Sequence, residues 1–119
     1  MRLGNEFRDR TKRFASAVIQ LYVKLPRTRG EVQVLGHQLL RSGTSIAAHI
    51  REASRARSDA EFPSKIDSAL QEADESQLWL ELLRDDCGIN SDALHQLFAE
   101  SQELVAILTM IAQRTKRSR

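Results

Sequence analysis

Apolar side chains recur along this chain in four stretches at spacings of three and four, the interval that places them on one face of an α-helix. In the first stretch Phe7, Phe14, Val18, Leu21, Tyr22 and Leu25 form the stripe and Pro26 ends it, which predicts a helix over 5–25. The second stripe runs Val32, Leu35, Leu39, Ile46, Ile50 and Ala53, with Gly36, Gly43 and Ala47 between, and predicts a helix over 29–56. Thr28 and Glu31 have the spacing of a capping box, in which a hydroxyl accepts one free backbone N–H and a carboxylate accepts another. Ser58 and Glu61 repeat that spacing and open a third helix, 58–84, with Phe62, Ile66, Ala69, Leu70, Ala73, Leu80 and Leu83 inward. Pro63 falls in or just after its first turn, where a missing N–H costs little but a distortion is expected. Gly88 suits a helix C-terminus, and Ser91 or Asp92 can cap a fourth helix, 91–113, carrying Leu94, Leu97, Phe98, Leu104, Val105, Leu108 and Ile111. The terminal RTKRSR, 114–119, is expected to fray.

Four amphipathic helices of roughly 20 to 27 residues with short connections fit an all-α, up-down-up-down four-helix bundle, a single domain over 1–119. With only 5 Gly and 2 Pro in 119 residues the composition is that of an ordered chain. Cys87 is alone, so no internal disulfide forms; no apolar run follows Met1 as a secretory signal requires. The apolar stretches fall short of the roughly 20 residues of a membrane span. A cytoplasmic protein without a membrane partner is expected.

Charge changes the picture. Residues 1–58 carry 12 Lys and Arg against 4 Asp and Glu, residues 59–103 carry 2 against 12, and the last sixteen add 4 cations, although the net charge is only +2. Such segregation fits complementary faces between helices or subunits, and equally a basic surface that attracts phosphates. The helical projection adds a second clue. Arg41, Thr44, Ser45 and Ala48 lie opposite the core stripe of the second helix, and several are too short for a solvated face. On the third helix Leu78, Trp79 and Leu82 project away from the core stripe. Large apolar residues beside small ones mark a subunit interface, so self-association is expected; the alternative is that Trp79 and its neighbours flank a wide core stripe.

Catalytic patterns are missing. A di-iron bundle needs Glu-x-x-His on two helices, whereas Glu72, Asp74 and Glu75 have no histidine at that interval and His37, His49 and His95 are scattered. Glu72 and Glu75 are instead expected to pair with Arg41 or Arg55. No Ser/His/Asp arrangement, no base beside Cys87 and no glycine-rich phosphate loop can be assembled, so neither an enzyme, a metal nor a cofactor is expected. The basic runs RDRTKR, KLPRTR and REASRAR, without interleaved aromatics, favour contact with a nucleic-acid backbone over reading of bases. Arg8, Arg10, Lys12 and Arg13 of the first helix and Arg51, Arg55 and Arg57 around the end of the second are the candidate phosphate contacts.

The segment QLLRSGTSIAAHIREASRARSDAEFPSKIDSALQEADESQLWLELL, Gln38 to Leu83, resembles the signature of the bacterial four-helix bundle protein family, also called the 23S rRNA intervening-sequence protein family. RSGTSI, REA, RARSDAEF, EADES and WLELL stand in that family's order and spacing. The resemblance implies a left-handed up-down bundle assembled as a ring-shaped homopentamer. Family members are encoded within intervening sequences of ribosomal RNA genes or stand free, most without an assigned function. It also implies a relation to the accessory proteins of diversity-generating retroelements, which bind nucleic acid and a reverse transcriptase. His49 stands where relatives commonly have Asn, which is expected to alter a hydrogen bond between helices, and Pro63 stands where they have an aliphatic residue. Two functions follow: a noncatalytic adaptor for RNA or DNA, or a structural ring that scaffolds a protein partner without nucleic acid.

Overall fold

The structure, a computed structural model, describes residues 3–117. Four helices follow one another: α1 (Asn5–Lys24), α2 (Gly30–Ser54), α3 (Glu61–Asp85) and α4 (Asp92–Arg117). Strands are absent among the described residues. Each helix packs antiparallel on its neighbour in sequence, and α1 meets α4 to close the bundle, though far less extensively than the other three seams. The result is a rod 48 × 21 × 20 Å.

The apolar stripes read from the sequence form the core. Val18, Leu39, Ile46, Ile50, Ile66, Leu80, Leu83, Leu94, Leu104 and Leu108 are fully buried; burial of each such side chain stabilises by roughly 1.5–3 kcal/mol. Small residues set the distance between α1 and α2. A Cβ on Gly43 would lie 2.9 Å from Val18 Cγ2, and one on Gly36 2.8 Å from Leu25 Cδ1. A polar layer joins α2 to α3, where the buried hydroxyls of Ser42 and Ser76 are 2.8 Å apart and Ser76 donates to the Glu72 carbonyl.

Helix ends depart from the expectations in three places. The capping box at Thr28 does not form: Arg29 is the N-cap of α2, no side chain caps it, and Glu31 accepts from Arg29 Nε at 2.8 Å. That carboxylate is held by its own backbone N–H and by the Arg29 guanidinium together. At Ser58 the side-chain bonds do form, with Ser58 Oγ accepting from the Glu61 N–H and Glu61 from the Arg57 N–H, yet residues 59–60 make a turn and α3 begins only at Glu61. Pro63 is buried in the first turn of α3, where it forfeits no helical hydrogen bond, and the helix continues unbroken to Asp85. The tail expected to fray begins within α4, which runs to Arg117. Buried Ile111 and Ala112 anchor its last turns, and Arg114, Lys116 and Arg117 complement the negative end of the helix dipole. Residues 118–119 of that tail lie outside the described residues.

The other ends follow the sequence. Ser91 Oγ accepts from the Leu94 N–H at 3.2 Å. Gly88 adopts φ +71°, a left-handed conformation that lets the Ile89 N–H reach back to the Leu83 carbonyl at 3.0 Å. Arg29 reaches across this end and donates to the Cys87 carbonyl at 2.8 Å.

Candidate nucleic-acid interface

Up-down topology brings the start of α1, the α2–α3 connection and the end of α4 to one end of the rod. Basic residues from distant parts of the chain therefore become neighbours. Lys12 of α1, Arg51 and Arg55 of α2 and Arg57 of the connection surround an open groove of about 690 Å³, walled on α2 by Ala47 and Ala48. All four cationic side chains are exposed, and none takes part in an ion pair among the described residues.

Lys65 completes the groove and was not among the residues the sequence singled out. It is one of only two cations between residues 59 and 103, and it stands four positions after Glu61, so the helical repeat places it on the same edge of α3. Two carboxylates, Glu52 and Glu61, share the lining. Glu52 receives Lys65 Nζ at 3.2 Å and faces His49 Nδ1 at 3.2 Å. The hydrogen bond from Lys65 holds the Glu52 carboxyl below its usual range, with a smaller contribution from His49. His49, expected to bear on a contact between helices, thus engages a carboxylate one turn along its own helix.

Three expected phosphate contacts lie elsewhere. Arg10 is committed to α4, its Nε 2.7 Å from Glu100 Oε2, one Nη2 2.8 Å from Glu100 Oε1 and 2.7 Å from Glu103 Oε2. Hydrogen bonding to Arg10 holds the Glu100 carboxyl below its ordinary range despite the opposing effect of burial, and Arg13 adds a weaker attraction. Arg13 is exposed beside Arg10 on the α1–α4 seam, where Phe14, Leu21 and Leu97 line a separate hollow of about 280 Å³. Arg8 is half-buried on α1 outside both linings. The sequence marked α1 as basic but not which of its cations α4 would take up.

The expected interface residues divide as well. Arg41 spans to α3, with Nη1 3.3 Å from Glu72 and Nη2 3.3 Å from Glu75, the pairing expected for those acids. Thr44 and Ser45 are half-buried and return their hydroxyl protons to the Leu40 and Arg41 carbonyls at 2.8 and 2.7 Å. Ala48 is exposed in the wall of the groove. Leu78 is 45% exposed and lies among Asp74, Glu75 and Glu81. Trp79 corrects the outward reading: it packs against the core cluster, and Leu82 is half-buried, because the buried stripe of α3 is wide enough to include the edge beside Ser76 and Leu80. Among the described residues no group of three or more His, Cys, Asp and Glu side chains is placed to hold a metal ion. No described helix is long and apolar enough to cross a membrane.

Residues 5–110 match the family described as 23S rRNA-intervening sequence protein. The chain belongs to that family. A solved structure of a Bacteroides thetaiotaomicron protein from the S23 ribosomal protein family, itself of unknown function, is 38% identical. The likeness has a TM-score of 0.79 and covers 88% of this chain and 96% of that one. Among curated proteins none is similar to this chain. The family and its solved member thus agree with the four-helix, all-α architecture, and neither carries an assigned activity.

Proposed function

We propose that this protein is a noncatalytic, cytoplasmic nucleic-acid adaptor that holds RNA or DNA by its phosphate backbone in the groove between α1, α2 and the start of α3. The observation that carries this reading is the convergence of Lys12, Arg51, Arg55 and Arg57, three of them in one short segment and the fourth far away in sequence, with their charges unpaired. No aromatic side chain lines the groove on which a base could stack, which favours contact with the phosphate backbone. Fluorescence anisotropy with labelled RNA and duplex DNA across a salt series tests it. Affinity falls steeply with salt, and each Arg→Gln replacement at positions 51, 55 or 57 lowers the slope of log K against log salt by about one. Absence of binding at low salt, or a slope unchanged by these replacements, refutes the reading.

The same proposal includes self-association, as the homopentameric ring that the family resemblance implies. Leu78, exposed in its acidic surround on α3, and the exposed Val34 of α2 and Val23 of α1 are apolar side chains that another copy would cover, which supports this part of the reading. A relation to the nucleic-acid-binding accessory proteins of retroelements belongs to this reading too. A ring that scaffolds a protein partner without nucleic acid is the competing outcome, recognised by a protein that stays on the purified assembly after nuclease treatment while RNA and DNA do not bind.

A further inference from the structure

The groove has a shape that an extended strand does not require. Arg51 and Arg55 are one helical turn apart on α2, Lys12 approaches from α1, Arg57 from the connection and Lys65 from the second turn of α3. Five cations thus ring one hollow of about 690 Å³ against two carboxylates, a size within the roughly 300–1,000 Å³ of small-ligand sites. A long backbone is better served by cations in a row. Along α1 that row is interrupted, since Arg10 is tied to Glu100 and Glu103 and Arg13 stands on the α1–α4 seam. The lining also lacks an aromatic ring on which an unpaired base could stack. Small Ala47 and Ala48 keep the wall low, so a compact anion can approach α2 between the arginines.

Concentrated positive charge in a hollow without a stacking platform matches an anion whose charges sit on the oxygens of successive, oxygen-bridged phosphate groups, with flexible or no contact to a base. The geometry points to this groove as a site for a linear 5′-polyphosphate, the chemistry shared by free nucleoside triphosphates and the triphosphorylated 5′ end of RNA. The inference rests on the reading of the groove as an anion site, but it differs from backbone binding in what it selects. Glu52 sets the resting state. Its carboxylate holds Lys65 at 3.2 Å, and the polyphosphate must draw Lys65 away from it.

Calorimetry on the full chain with inorganic tripolyphosphate, and anisotropy with one RNA sequence bearing either a 5′-triphosphate or a 5′-hydroxyl, tests this. Tripolyphosphate binds one per groove, at least about tenfold more weakly in the Arg51→Gln, Arg55→Gln double variant, and several-fold more tightly in Glu52→Gln, which frees Lys65. Ala48→Glu, a surface change that places a carboxylate in the wall, also weakens it. Circular dichroism confirms that these exposed substitutions leave the helices intact. Triphosphorylated RNA binds more tightly than its hydroxyl counterpart; GTP binding tighter than the triphosphorylated RNA assigns the site to free nucleotides, and the reverse order assigns it to RNA ends. Equal binding of the two RNAs with no uptake of tripolyphosphate overturns the inference and leaves the backbone reading standing. Tripolyphosphate uptake without binding of either RNA does the opposite.

Discussion

At the level of single residues, the same change has unequal consequences at two glycines. The Cβ of Gly43→Ala would meet both methyls of Val18, which is fully buried and β-branched and has no free rotamer to yield. The overpacking costs about 1–3 kcal/mol and the gain in helix propensity returns about 1, so a net loss of about 1 kcal/mol and a fall of about 4 °C in Tm are expected. Gly36→Ala meets the terminal methyl of Leu25 and, less closely, the Tyr22 ring; because Leu25 Cδ1 ends a side chain that is unbranched at Cβ and can turn aside, the gain in helix propensity offsets the crowding and Tm stays within about a degree or two of the parent. Thermal denaturation of the two variants side by side checks the difference. Arg10 supplies a pH dependence. Its hydrogen bond lowers the Glu100 pKa in the folded state from the ordinary 4.5, so the carboxylate contributes stability above about pH 4.5 that is lost as pH falls through the depressed folded value. Arg10→Met removes the main cause of the depression and leaves the weaker ones; denaturant unfolding at pH 6 and pH 3.5 is expected to show a smaller acid-side loss in the variant than in the parent protein. The spacing of Arg10 did not disclose this role, because the partner lies 90 residues away and only the α1–α4 seam brings it within 2.7 Å.

At the level of helices, the seams differ in what holds them. Between α2 and α3 the Ser42 and Ser76 hydroxyls bond in a dry interior, flanked by the pair Arg41 and Glu72. Sliding one helix past the other would separate these groups, so the layer fixes register. Ser42→Ala leaves Ser76 still bonded to the Glu72 carbonyl and costs about 1 kcal/mol; the Ser42→Ala, Ser76→Ala pair costs less than the sum of the two single changes. Trp79, the only tryptophan and packed at this seam's edge, reports the unfolding by fluorescence. The helices themselves were legible, since a period of 3.6 survives whatever the partner. Their ends were less so: Ser58 and Thr28 share one motif, yet only Ser58 bonds to its helix, its Oγ accepting from the Glu61 N–H, while at the other site Glu31 is held by its own backbone N–H and by Arg29.

At the level of the whole molecule, the prediction concerns assembly. Light scattering on a sizing column is expected to give a multiple of the 13.5 kDa chain, five for the proposed ring. Leu78→Glu, at an exposed position among acids, lowers that mass by adding repulsion without touching the core. A parent protein that elutes as a monomer at micromolar concentration overturns self-association. The amino-acid sequence by itself determined four amphipathic helices, their inward stripes and the segregation of charge, because these depend on local periodicity and composition. Tertiary structure alone decided which cations remain free. Helix packing turned Arg10 toward Glu100, left Arg13 on another seam, folded Trp79 into the wide edge of α3, and carried Lys12 across to Arg51, Arg55, Arg57 and an unforeseen Lys65. Charge density is written along the chain, but the field at a groove depends on distances between residues that only the antiparallel packing of the helices sets.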